Sequence, residues 1–72
     1  MADIRVQFGE RLREIRTNSG ISQEKLAEEA DLHRTYVSSV ERGERNISLE
    51  NIERLAAALH IDIREFFPVQ KR

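Results

Sequence analysis

An all-α fold follows from three observations on this 72-residue chain. Glycine and proline are confined to Gly9, Gly20, Gly43 and Pro68. The intervals between them carry apolar residues at helical spacing. No interval alternates apolar and polar residues with period two, as a half-buried strand would. The expected organisation is one domain over residues 1–72, with its core in 4–67 and a tail at 68–72.

The first helix is expected from Ile4 to Asn18. Ile4, Phe8, Leu12 and Ile15 step by four, four and three, which makes one apolar stripe. Gly20 supplies the stop, because glycine tolerates the left-handed conformation that ends many helices. Ser22 caps the second helix, and Ile21 before it can pack on Leu26 as a hydrophobic staple. Glu24 lies in the first turn, where the helix dipole favours an acid. Lys25 stands where a capping box needs Glu or Gln, so the box is absent. Leu26, Ala27 and Ala30 form the inner face, and the helix ends near Glu29 or Ala30.

A tight turn, Asp31-Leu32-His33, leads into a third helix over Arg34 to Arg42. Val37 and Val40 point inward, and Gly43 stops the helix. Glu44 to Ile47 form a loop. Ser48 caps a fourth helix in which Leu49, Ile52, Leu55, Ala56 and Leu59 line one face. Asp62 caps a last short helix carrying Ile63, Phe66 and Phe67. Pro68 ends it, since proline disfavours helical geometry in the residue before it.

Composition narrows the function. Hydrophobic residues are 39% of the chain, enough for one small core. Twelve Lys and Arg nearly balance thirteen Asp and Glu, for a net charge of -1. Neither a strongly basic coat nor an acidic tail is present. There is no cysteine, hence no disulfide framework, thiol catalysis or cysteine zinc site. The longest apolar run, Leu55 to Leu59, is too short to cross a membrane. Asp3 interrupts what a signal peptide would need to be basic and then apolar. A soluble cytoplasmic protein is expected.

Catalysis has little to stand on. His33 and His60 fall in different helices, and neither has a partner at metal-ligand spacing. No glycine-rich loop could cradle a phosphate, and Glu24, Glu28 and Glu29 read as a solvated face. No enzyme activity, metal or cofactor is expected.

Residues 20–48 carry the constellation that points to a function. Two short helices joined by a tight turn, the second opening with polar residues, match a helix-turn-helix. In that arrangement the first helix of the pair crosses the DNA backbone and the second enters the major groove. A groove about 12 Å wide admits a helix with its side chains. Arg34, Thr35, Ser38 and Ser39 offer hydrogen-bonding groups of modest length on the exposed side, with Tyr36 among them. Double-stranded DNA is the expected partner. The same fold acting as a protein-interaction module is the alternative, but such an interface calls for more aromatic and aliphatic anchors than this surface holds.

The chain resembles the lambda-repressor-like helix-turn-helix family, Xre/Cro type, from Phe8 to Phe67. The matching stretches are Leu12-Arg13-Glu14-Ile15-Arg16, Ile21-Ser22-Gln23-Glu24-Lys25-Leu26-Ala27, Val37-Ser38-Ser39-Val40-Glu41-Arg42-Gly43 and Leu55-Ala56-Ala57-Ala58-Leu59. A narrower resemblance, to controller proteins of restriction–modification systems, rests on His33 to Gly43 and on Arg45-Asn46-Ile47-Ser48-Leu49. It implies five helices and a dimeric transcriptional regulator that binds near its own promoter, activating or repressing and touching RNA polymerase. Antitoxins of toxin–antitoxin operons share the fold and are the alternative in the same class.

The resemblance also implies roles. Arg34 reads guanine through its bidentate fork, and Thr35, Ser38 and Ser39 face base edges. Gln23 bonds a phosphate and braces the third helix. Tyr36 lies on the sugar–phosphate backbone or wedges a deformed step, with a half-buried packing role as the competing reading. Arg45, Asn46 and Ser48 grip phosphate, Ser48 also being a cap in its own right; Arg42 reaches phosphate or simply favours the C-terminus of its helix. Arg16 and Glu41 form a buried ion pair between the first and third helices. Independently of the resemblance, the last helix, with Ile63, Phe66 and Phe67, and the adjoining end of the fourth helix are the expected dimer contact. Two adjacent phenylalanines diverge by about 100° on a helix, so both cannot enter one core.

Two features depart from the pattern. His33 stands at the cap of the third helix, where Ser, Thr or Asp is preferred. It either caps or touches phosphate. Around it, Arg34, Arg42 and Arg45 face Glu41 and Glu44. So small an excess of positive charge cannot supply strong non-specific affinity. Affinity must come from a specific surface doubled by dimerisation.

Overall fold

A computed structural model of the chain describes residues 3–68. Residues 69–72 of the expected tail lie outside the described residues, as do Met1 and Ala2. Four α-helices follow in order: α1 (Ile4–Asn18), α2 (Gln23–Ala30), α3 (Arg34–Glu41) and α4 (Leu49–Leu59). A 3-10 helix, Ile63–Phe66, closes the series. The described residues contain no strand.

The caps explain most boundaries. Ser22 and Ser48 each accept a backbone N–H three residues on, from Lys25 at 3.0 Å and Asn51 at 3.1 Å. Asp3 and Asp62 do the same two residues on, from Arg5 and Arg64, both at 2.8 Å. The side-chain hydrogen bond from Arg5, then its backbone one, holds the Asp3 carboxyl below its ordinary value; Arg64 acts likewise on Asp62. Gly20 and Gly43 take positive φ, 76° and 75°, just past the ends of α1 and α3. Asp31 and His60 end α2 and α4 in the same left-handed conformation, which sequence alone did not mark because neither is glycine.

Leu12, Leu26, Val37 and Leu55 are wholly buried and join α1, α2, α3 and α4 in one core. α3 packs on α1 and α2, α4 on α2, and the 3-10 helix on α1 and α4. Gly9 sets the distance between α1 and α3. A Cβ there would collide with the carbonyl oxygen of Val40 and come within 2.7 Å of that of Glu41. Only glycine lets the two backbones approach this closely. Arg11 ties α1 to the 3-10 helix by donating Nε–H to the Glu65 carbonyl at 2.7 Å.

Four expectations need correction. The fifth helix is a 3-10 turn, and Phe67 is its C-cap rather than a member. α3 ends at Glu41, with Arg42 as its cap. Ile4 is 63% exposed and Leu49 80%, although both continue an apolar stripe. Each is the first residue of its helix. Side chains tilt toward the helix N-terminus, so these two project off the end, past the packed layer.

Candidate nucleic-acid interface

α3 has a fixed side and an open side. On the fixed side Val37 and Val40 enter the core, and Glu41 holds the helix to its neighbours. The Glu41 carboxylate accepts Arg16 Nε at 2.6 Å and Arg16 Nη2 at 3.1 Å from α1. It also accepts Gln23 Nε2 at 2.9 Å from the start of α2. Arg16 spends its remaining amino group on the Ile21 carbonyl at 2.9 Å. The side chains are 11% and 3% exposed, so this is a buried pair. Its fork geometry and the extra donors offset the cost of taking both charges out of water.

On the open side Arg34 and Thr35 are exposed at the first turn of α3. Neither side chain has a hydrogen bond or ion pair within the described residues. His33 occupies the N-cap position, but its side chain makes no capping bond. Asn46 is exposed in the following loop. These four present their donors and acceptors to whatever approaches.

The remaining expected contact residues are partly engaged. Arg42 donates to Ser38 Oγ and pairs with Glu44 at 3.2 Å. Ser39 Oγ donates to the Tyr36 carbonyl at 2.8 Å and accepts Arg45 Nε at 3.2 Å. The Arg45 guanidinium lies 5.2 Å from the Tyr36 ring centroid, a cation–π distance. Asn51 Nδ2 donates to the Tyr36 hydroxyl at 3.0 Å. Tyr36 is half-buried at this cluster, and Ser48 is occupied as the α4 cap. Sequence reasoning missed Asn51. It is the third residue of α4, where a side chain ordinarily reaches back to the cap, and here it crosses to α3.

The C-terminal aromatic pair is divided. Phe66 is 2% exposed and stacks on Phe8 at 5.0 Å between centroids. It belongs to the core, which corrects its place among the contact residues: a side chain sealed by its own chain has no surface to offer a partner. Phe67 touches Phe8 at 5.6 Å yet is 46% exposed, and Ile63 is 39% exposed.

A recognition helix locked from behind, open in front and preceded by a bracing helix defines a DNA-binding helix-turn-helix. The helix-turn-helix family model matches residues 12–66. The chain belongs to that family and is a DNA-binding transcriptional regulator. It is similar to control protein C.BamHI of Bacillus amyloliquefaciens, 53% identical over 64 residues, covering 88% of this chain and 79% of that one. Control protein C.MunI of a Mycoplasma species is 46% identical over 68 residues, covering 93% and 92%. The crystal structure of the restriction–modification controller protein C.AhdI from Aeromonas hydrophila matches with a TM-score of 0.86 at 59% identity, covering 88% of this chain and 96% of that one. Among the described residues no helix is long and apolar enough to cross a membrane.

Proposed function

We propose that the chain acts as a homodimeric controller of a restriction–modification operon, binding duplex DNA near its own promoter. The observation that carries this reading is the contrast across α3. Arg34 and Thr35 are exposed and, among the described residues, unpartnered, while Glu41 and the two valines fix the helix behind them. The similarity to control proteins over most of their length supports the operon assignment.

In this reading Arg34 addresses the two acceptors of a guanine, with Thr35, Ser38 and Ser39 beside it on base edges. Gln23, His33, Tyr36, Arg42, Arg45, Asn46 and Ser48 meet the sugar–phosphate backbone. Phosphate contacts set register without reading sequence. Whether RNA polymerase is recruited or blocked follows from where the site lies. The place of action is the cytoplasm. Residues 1–72 act as one unit, without catalysis.

Ile63 and Phe67 provide the two-fold contact. Both are exposed apolar groups, 39% and 46% accessible, at the two ends of the last helical turn, and exposed apolar surface favours self-association. Selection of bound duplexes from a random pool tests the DNA reading, which expects a two-fold symmetric consensus containing guanine. Sedimentation of Phe67→Ala tests the dimer. The balance shifts toward monomer with little change in melting temperature; an unshifted balance places the contact elsewhere.

A further inference from the structure

We infer that Asn51 is a positioning residue for DNA binding: it holds the Tyr36 hydroxyl as an acceptor, so that the phenolic proton is left for a DNA phosphate. This rests on the reading above that Tyr36 meets the backbone.

A tyrosine oxygen carries one proton and two lone pairs. Asn51 Nδ2 fills a lone pair at 3.0 Å and takes no proton in return. No other described side chain hydrogen-bonds the hydroxyl. The ring is held as well, by the Arg45 guanidinium 5.2 Å from its centroid. Arg45 is itself anchored to Ser39 Oγ at 3.2 Å. The group is fixed in place while its donor function is unspent. DNA phosphate oxygens are pure acceptors, which an unspent O–H fits. An acid at position 51 would reverse the polarity by accepting the phenolic proton, and its charge would repel the phosphate. Asn51 thus acts through Tyr36, from a different helix.

Tyr36 is the single tyrosine, and there is no tryptophan. The tyrosine Raman doublet, which distinguishes an accepting phenol from a donating one, therefore reports this hydroxyl alone. The test uses the full chain and the tightest duplex recovered from the random pool. The variants are Tyr36→Phe, Asn51→Asp, Asn51→Ala and each Asn51 change combined with Tyr36→Phe, with melting curves to check folding. Tyr36→Phe is expected to weaken binding roughly tenfold or more, the scale of one hydrogen bond to a charged group. Asn51→Asp is expected to weaken it at least as much, and to cost roughly tenfold less once Tyr36→Phe is present. Since the free O–H still meets water, the doublet is read as a difference: Asn51→Asp shifts it toward the donating form relative to free wild-type protein. If Asn51→Asp does not fold, Asn51→Ala carries the same cycle with a smaller loss. Full affinity in Tyr36→Phe removes the phosphate contact itself, and the inference with it. A weakened Tyr36→Phe with equal Asn51 costs in both backgrounds overturns the inference alone, as does a doublet that Asn51→Asp leaves unshifted.

Discussion

Two polar clusters flank α3, built from similar groups and differing in what water can reach. At the C-terminal end Glu41, Arg16 and Gln23 converge from α3, α1 and α2. The ion pair there is nearly sealed, with its acid 3% exposed. Toward the loop, Arg45, Tyr36, Ser39 and Asn51 join the loop, α3 and α4. Arg45 there is exposed. Burial makes the first cluster a strut: among the described residues no buried side-chain polar atom lacks a partner, and losing one strands another. The second is a set of weaker, partly exposed contacts gathered around the Tyr36 side chain.

Deleting the strut gives the largest expected effect. Glu41→Ala leaves the Arg16 charge buried and Gln23 without its acceptor, at a cost of about 3–5 kcal/mol. A domain of this size has little more to lose, so chemical denaturation should find it largely unfolded. Replacing Arg16 and Glu41 together by methionine should cost clearly less. If the double change is the worse, the pair is more than a compensated burial.

Two substitutions of intermediate size separate fold from recognition. Gly9→Ala drives a methyl into the Val40 and Glu41 carbonyls beside the strut, and should cost about 1–3 kcal/mol of stability. Gly20→Ala is the control. Nothing lies within 4 Å of its added carbon, so only the positive φ is penalised, by about 1–2 kcal/mol. Arg34→Ala should leave the melting curve unchanged. It should weaken operator binding by about 1–3 kcal/mol per half-site and flatten the preference at one base pair. Equal weakening on an operator and on a variant changed at the guanine would make Arg34 a phosphate contact.

The smallest effect belongs to the open cluster. Arg45→Ala removes an exposed cation–π contact worth about 0.5–1 kcal/mol. Its signature is in binding: the slope of log affinity against log salt should fall by about 1 per half-site. A large drop in melting temperature would make the two clusters equivalent in kind.

The same contrast governs what could be read from sequence. Helix boundaries were legible wherever a cap or a stop has a characteristic residue, as at Ser22, Ser48, Asp62, Gly20 and Gly43. The end of α2 at Ala30 was legible too, but the left-handed conformation of Asp31 and His60 was not, because a left-handed residue other than glycine is held by its surroundings. Phe66 and Phe67 could be told to diverge, but which one turns inward depends on Phe8 across the fold. The pairing of Arg16 with Glu41 came from family resemblance, since no spacing rule links residues on different helices. Asn51 escaped for the same reason: its partner, Tyr36, sits on another element.

The Arg42–Glu44 pair bears on how strongly the protein holds DNA of random sequence. At 3.2 Å it pairs one of the three arginines on the recognition side with an acid, while among the described residues Arg34 and Arg45 have none. Few cations mean few counterions released and weak attachment to bulk chromosomal DNA. Molecules are then not stored on random sequence. On the function proposed above, the free pool would rise and fall with synthesis, and promoter occupancy with it.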